Sequence, residues 1–265
     1  MFLAFLKRDF RLEVSYRFNL ILQIFGGLIF LLIFYFISES LTFKNPELLE
    51  KYGDNYFLFS SLGIVTINLV MVSLLSSSSA FREAQMLGYL DNLLSYRLTI
   101  IELFFYNLSY PLLKAIFIGL IQLLFIGYMS NQYLSLMEIF DFIFISYLIL
   151  ISFLGLGMIS SAFILYFKVG NPINLLVGFI SSLFSGIFYP IESLPNFGMV
   201  IAKAIPLTYG IDCLRERIMH GSKYADISDS LIILLVLSAV YFIVGYAAIT
   251  LVSNLSRKDG SISNY

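Results

Sequence analysis

Long uninterrupted runs of apolar residues constrain this chain more than any other feature. Crossing about 30 Å of hydrocarbon takes roughly 20 apolar residues in a helix. The runs that reach or approach this length are Leu20–Ile37, Tyr56–Leu75, Phe104–Met129, Ile139–Phe167, Ile173–Tyr189 and Ser230–Ser253. In lipid, backbone polar groups must be satisfied within a helix or a closed barrel, and the alternation of barrel strands is absent. The runs therefore predict an all-α membrane protein with six transmembrane helices.

The composition excludes several classes of function. Only 12% of the residues are charged, which is too few to cover a water-facing surface, since soluble domains carry about 25%. The net charge of −1 gives no basic field for nucleic acid. One cysteine, Cys213, excludes a disulfide within the chain, and the single histidine, His220, argues against a zinc site. With no catalytic constellation and no phosphate-loop motif, we expect no catalytic, metal or cofactor site, so any ATP would be hydrolysed by another chain.

The positive charges predict the orientation. With the N-terminus in the cytoplasm, nine of the 16 Lys and Arg residues fall on the inner side and six on the outer side. Both termini are therefore predicted to be cytoplasmic, with residues 254–265 as a cytoplasmic tail.

Residues 1–19 form a predicted basic amphipathic helix before the first span. Leu3, Leu6, Phe10 and Val14 share one stripe, so the helix is expected to lie in the membrane interface. It is either a positive-inside anchor or a contact surface for a cytoplasmic partner.

Ser76–Glu102 is the most polar cytoplasmic segment. Ser76–Ser79 offer an N-cap, and a short helix at about 80–95 can then project from the membrane. The alternative is a solvated linker.

Tyr189–Asp229 is too apolar for a solvated loop and carries three prolines. Pro206 can open a helix, and Gly221 suits its C-terminal cap. An apolar stripe follows the proline at Leu207, Ile211, Leu214 and Ile218. We expect two short re-entrant helices within about 190–221; the alternative is an interfacial loop.

Lys114 is the clearest charge within a predicted span. It either lines a path or an interface between subunits, or it extends to the cytoplasmic interface. Glu138 and Asp141 are interpreted as first-turn acids of the fourth span. Asn68, Gln122 and the small residues Gly155, Gly157, Ser160 and Ser161 are expected to serve helix packing.

Two stretches after the fifth run carry a family resemblance. One reads Gly-Ile-Phe-Tyr-Pro-Ile-Glu-Ser-Leu-Pro from Gly186 to Pro195, and the other reads Pro-Leu-Thr-Tyr-Gly-Ile-Asp-Cys-Leu-Arg from Pro206 to Arg215. They resemble the G-x-x-F/Y-P-x-x-x-L/I-P and P-L/T-x-Y/H-x-x-D/E-x-L/I-R stretches of the type-2 ABC-transporter permease family. Gly88-x-Leu90-Asp91-x-Leu93-Leu94 looks like that family's G-T-L-E-x-L-L coupling segment, with tyrosine in place of the usual threonine.

The resemblance implies the permease subunit of an ATP-driven exporter in a bacterial-type inner (plasma) membrane, with an amphipathic small molecule, lipid or glycan as cargo. Residues 20–253 would be the permease domain. It would pair with a second permease chain, identical or related, and with two cytoplasmic ABC ATPase subunits that hold ATP and Mg²⁺. The residues that would couple to the ATPase are Arg82, Glu83, Gly88, Leu90 and Asp91. The outer gate would comprise Phe188, Pro190, Leu194, Pro195, Pro206, Tyr209, Asp212 and Arg215.

Two other classes of function remain open from the residues alone. One is an ATP-independent secondary transporter or channel, for which paired intramembrane acids and an internal repeat would be expected. The other is a non-transport membrane scaffold.

Overall fold

The apolar runs form helices that pack side by side. The computed structural model describes residues 1–44, 55–86, 99–167 and 172–258, and the regular structure within these ranges is all helical. The α-helices of these ranges are α1 (Phe2–Ser15), α2 (Arg17–Lys44), α3 (Tyr56–Met86), α4 (Ile100–Met129), α5 (Leu136–Phe167), α6 (Pro172–Phe184), α7 (Asn196–Ala204), α8 (Pro206–Met219) and α9 (Ser228–Lys258). A 3-10 turn, Ile191–Ser193, precedes α7.

Five of these helices, α2, α3, α4, α5 and α9, are long and apolar enough to cross a membrane. They confirm the predicted all-α membrane fold. The fifth predicted run differs, because α6 has 13 residues and is about 20 Å long, which is short of a 30 Å hydrocarbon core. Helices α7 and α8 meet at an angle of 86° and make a sixth candidate span if they are counted together.

Helix α3 does not stop where the sequence suggested. The proposed N-cap at Ser76–Ser79 is wrong, since α3 runs without a break to Met86. The serines bond within the helix instead: the Ser77 hydroxyl donates to the carbonyl of Ser73 at 2.7 Å, and the Ser79 hydroxyl donates to that of Ser76 at 3.1 Å. Ser161 of α5 also donates to the Ser77 carbonyl at 2.7 Å. The serine hydroxyls are therefore bonded to carbonyls of the preceding turn and do not cap a new helix.

The centre of the bundle is α5, which packs along α3 and α9. Gly155 of α5 faces Gly245 of α9 so closely that a Cβ on either glycine would meet the other helix's backbone. The Ser152 and Ser238 hydroxyls, 2.6 Å apart, join the same two helices. The prediction that small residues serve helix packing is confirmed, because they let the backbones approach.

The two ends of the bundle carry different accessory helices. Helix α8 packs on α3, α5 and α9 near their first turns, whereas α1 lies along the first half of α4. We call these the α8 end and the α1 end. In the predicted orientation, the α8 end faces outward and the α1 end faces the cytoplasm.

Candidate functional site

The chain after α6 makes a tight turn against α3 at the α8 end. Gly186 has a φ of +76°, in a region that side chains rarely adopt. Ile187 lies so close to Gly63 of α3 that a Cβ on this glycine would be 2.8–2.9 Å from its atoms. The Tyr56 hydroxyl donates to the carbonyl of Phe188 at 3.3 Å. The turn is therefore held directly on α3.

Arg215 of α8 joins this turn to α3. Its guanidinium donates to the carbonyl oxygens of Gly186 at 2.8 Å and Ile187 at 2.9 Å. It also donates twice to the carbonyl of Phe59, at 2.9 and 3.2 Å. The central carbon of the guanidinium lies 3.3 Å from the centre of the Phe59 ring. The rigid fork of donors suits arginine and not lysine. We call this arrangement the Arg215 clamp.

The bend between α7 and α8 is fixed by side chains that reach across it. The Thr208 hydroxyl donates to the carbonyl of Ala202 at 2.8 Å, and the Tyr209 hydroxyl donates to that of Lys203 at 3.1 Å. The predicted apolar stripe of α8 is buried: Leu207, Ile211, Leu214 and Ile218. Gly221, with a φ of +62°, follows the last turn, as a C-terminal capping glycine does.

A buried ion pair lies beside the clamp. The guanidinium of Arg217 bonds Oδ2 of Asp141 through Nε at 2.7 Å and Nη2 at 2.5 Å, and the Asp141 side chain is 1% exposed. The Tyr224 hydroxyl donates to the other carboxylate oxygen. The pKa of Tyr224 is raised mainly by this hydrogen bond and to a smaller extent by burial. Asp141 is therefore more than the first-turn acid that the sequence suggested, whereas Glu138 does cap its helix through Ser135.

The eight predicted gate residues do not form one cluster. Three of them line a cavity of about 150 Å³ at the α8 end: Pro190, Asp212 and Arg215. The other five lie outside its lining: Phe188, Leu194, Pro195, Pro206 and Tyr209. Asp212 is exposed and accepts a hydrogen bond from Ser230 of α9 at 2.7 Å. The gate role of all eight stays a prediction.

Lys114 lies at the α1 end, where α1 packs on α4. Its Nζ donates to Glu13 Oε2 at 3.0 Å. Further along α1, Arg8 donates to the Asn107 side chain at 2.9 Å, and the ring of Phe5 packs on that of Tyr106. Helix α4 continues through Pro111, so Lys114 is about 21 Å from the first residue of the helix. Helix α1 thus supplies a counter-ion for the cation, and the proposed place of Lys114 in a path or at an interface stays a prediction.

The predicted coupling residues lie at the limit of what the structure describes. Arg82 and Glu83 belong to the last turns of α3. Gly88, Leu90 and Asp91 fall outside the described residues. Their coupling role stays a prediction.

Two of the ion pairs in the structure were not predicted from the sequence. Glu13 and Lys114 are 101 residues apart, and Asp141 and Arg217 are 76 apart. An ion at membrane depth is expected to have a counter-ion, but the sequence does not identify the residue that supplies it. Among the described residues, no group of three or more histidine, cysteine or acidic side chains is placed to hold a metal ion.

Comparison with known proteins adds one match. A family model described as ABC-2 type transporter matches residues 1–219, which include the turn after α6, the Arg215 clamp and all of α8. No curated protein matches the chain significantly.

Proposed function

The chain belongs to the ABC-2 type transporter family, and from that premise we propose that it exports an amphipathic small molecule, lipid or glycan with ATP hydrolysed by a separate subunit. The family match over most of the chain carries its role as a membrane-spanning permease. The two competing classes, a self-sufficient transporter and a scaffold, have no comparable support.

The proposed complex contains two permease chains, identical or related, and two cytoplasmic ABC ATPase subunits that hold ATP and Mg²⁺. It sits in a bacterial-type inner membrane with both termini of this chain in the cytoplasm. The excess of positive charge on the predicted inner side supports that orientation.

Helix α3 supports a direct route from the ATPase to the outer gate. It is one unbroken helix from Tyr56, beside the turn after α6, to Met86, past Arg82 and Glu83. Phe59, whose carbonyl the clamp holds, is about 40 Å from Met86 along the helix axis. A displacement of the coupling segment would therefore move the Arg215 clamp with α3. Nucleotide binding drives such a shift only if it favours one of the two states.

Purification of the tagged chain from its native membrane in mild detergent tests this function. We expect an ATPase with a phosphate loop to co-purify and the eluate to hydrolyse ATP in a vanadate-sensitive way. Gly88→Pro should abolish the co-purification or the turnover while leaving membrane insertion intact, because proline fixes φ and removes an N–H. Gly88→Ala, which keeps the N–H, is the matched control. A chain that purifies without any ATPase would contradict the proposal and favour a secondary transporter.

A further inference from the structure

A second cavity, of about 650 Å³, lies between α2, α3 and α4. Sites for small ligands commonly have volumes of about 300–1,000 Å³. Much of its wall is apolar, with Phe30 from α2, Val65 and Leu69 from α3, and Ile118 from α4. None of the predicted gate residues lines it, so it is separate from the cavity at the α8 end. We call it the α2–α4 cavity.

Three amide side chains line the α2–α4 cavity: Gln23, Asn68 and Gln122. Within the ranges that the structure describes, none of the three has a hydrogen-bond partner. Gln122 is 3% exposed, and its amide lies against the α2 backbone at Gly27. Gln23 and Asn68 are exposed, so Gln122 is the buried member of the set, and a buried polar group without a partner costs about 1–3 kcal/mol. The amides are thus a set of donors and acceptors at membrane depth that a polar ligand can satisfy.

Lys114 adds a cation at the α1 end of the same cavity. Its counter-ion, Glu13, uses one of its two carboxylate oxygens. Oε2 accepts a hydrogen bond from Lys114, whereas the buried Oε1 has no hydrogen-bond partner in the described chain. An anion that satisfies all its oxygens would compete well with such a carboxylate. Glu13 lies on α1, a helix with no buried residue, so exchange of the counter-ion requires no opening of the core.

Apolar residues line the cavity along its whole length, including Ala115 next to Lys114 and Leu69 and Ile118 among the amides, whereas the polar groups have an order. Gly119 of α4 lies level with Leu69 of α3, and Gln122 lies level with Gly27 of α2. From these contacts and the rise of about 1.5 Å per residue, Lys114 comes first and the three amides follow within about 12 Å. Val65 and Phe30 come last. The lining beyond the amides is therefore apolar, which suits the acyl chain of an amphiphile whose phosphate and ester linkages lie nearer Lys114.

We propose that the α2–α4 cavity binds an amphiphile with an anionic phosphate head group. The phosphate pairs with Lys114 in place of Glu13, the amides of Gln23, Asn68 and Gln122 bond the linkage atoms, and the chain packs towards Phe30. In the predicted orientation the head group lies at the cytoplasmic end of the cavity, near the middle of α4. Binding itself does not require export; only the ligand's role as cargo rests on the proposed function.

Fluorescence quenching tests this binding directly, because the chain contains no tryptophan. Phe30→Trp puts a single emitter in the cavity, and Phe25→Trp, on an exposed part of α2 outside the lining, is its control. Each purified full-length variant is reconstituted in phosphatidylcholine with a small, equal fraction of brominated phosphatidic acid or brominated phosphatidylcholine. Phosphatidic acid should quench Phe30→Trp more than phosphatidylcholine does, and both lipids should quench Phe25→Trp equally. Equal quenching of Phe30→Trp by both lipids would overturn the proposal.

Two further substitutions in the Phe30→Trp chain separate recognition from structure. Lys114→Gln should weaken binding of phosphatidic acid about ten-fold, the equivalent of one charge-assisted hydrogen bond. Glu13→Gln should strengthen it, because the competing carboxylate is gone. A merely structural ion pair would make both substitutions act in the same direction, and that result would remove the proposed role of Lys114.

The assembled complex distinguishes the two sources of such a ligand. If the amphiphile is cargo, ATP turnover should relieve the quenching of Phe30→Trp; if it is a resident lipid, turnover should leave the quenching unchanged. Selective quenching in a chain that recruits no ATPase would support the binding site while contradicting the proposed function. A complex that hydrolyses ATP without selective quenching would support the proposed function and contradict the binding site.

Discussion

The two ends of the bundle hold their charges in different ways. At the α8 end, Arg215 reaches three backbone carbonyls and Arg217 bonds Asp141 through two nitrogens. At the α1 end, Lys114 meets one oxygen of Glu13, and the other oxygen has no partner in the described chain. The two arginines of the α8 end each make several bonds, although the buried hydroxyls of Ser61 and Ser185 there have no partner in the described chain, whereas the cation of the α1 end makes one.

This difference indicates different tasks for the two ends. Because Arg215 bonds carbonyls of both α3 and the turn after α6, this turn, α8 and the first turns of α3 are expected to move as one body if they move at all. A half-used carboxylate, whose cation lines a cavity with three amides that have no partner among the described residues, suits exchange instead. Ligand-dependent change is therefore expected at the α1 end, and transmission of movement at the α8 end.

Removal of the Arg215 clamp is expected to have the largest effect. Arg215→Met leaves the carbonyls of Phe59, Gly186 and Ile187 without their donors, and each bond to a charged group is worth about 1.5–3 kcal/mol. We expect a loss of about 4 kcal/mol or more in the free energy of unfolding, seen as a large fall in the melting temperature in detergent.

Two variants serve as controls for this prediction. Arg215→Lys should recover only part of the loss, because an ammonium group lacks the planar fork. Arg11→Met, at an exposed arginine of α1, should change stability by no more than about 0.5 kcal/mol. A wild-type melting temperature for Arg215→Met would mean that the α8 end is no more rigid than the α1 end.

The pair of Asp141 and Arg217 should give the next largest effect. Its side chains are 1% and 11% exposed, and loss of one partner from a buried pair costs about 3–5 kcal/mol. Asp141→Asn and Arg217→Gln should each destabilise the chain by about 3 kcal/mol, and the double variant should lose much less than the sum. A double-mutant cycle on thermal unfolding measures this coupling; strictly additive losses would contradict it.

The sequence predicts the helices of this chain well, because the demands of lipid act on each run separately. The five spanning helices, the apolar stripe of α8 and the glycine after it all leave local patterns. Helix α3 shows the limit of that reasoning. Ser76–Ser79 read as a helix start by composition, but their bonds within α3 and the packing of Ser161 against Ser77 keep the helix intact.

The candidate sites were less predictable, because they depend on pairs that are distant in the sequence. The family motif points to Arg215. It does not indicate that this side chain bonds backbone carbonyls of α3 and of the turn after α6. Nothing near Lys114 indicates that Glu13 is its counter-ion. The sequence does not predict the α2–α4 cavity either, because α2, α3 and α4 each contribute one of its three amides.

The pair of Lys114 and Glu13 should give the smallest effect, and it is the direct counterpart of the pair at the α8 end. The two side chains are 18% and 14% exposed, and one carboxylate oxygen is unused. A partly exposed pair with one contact is expected to couple more weakly than a buried pair with two, towards the value of about 1 kcal/mol or less that applies to solvent-exposed pairs. In a double-mutant cycle with Lys114→Gln and Glu13→Gln, we expect a coupling below about 1 kcal/mol, against several times that value for Asp141 and Arg217. A coupling as large at the α1 end would mean that α1 is locked onto α4 as firmly as α8 is locked in place, and counter-ion exchange at Lys114 would then be too costly for ligand binding.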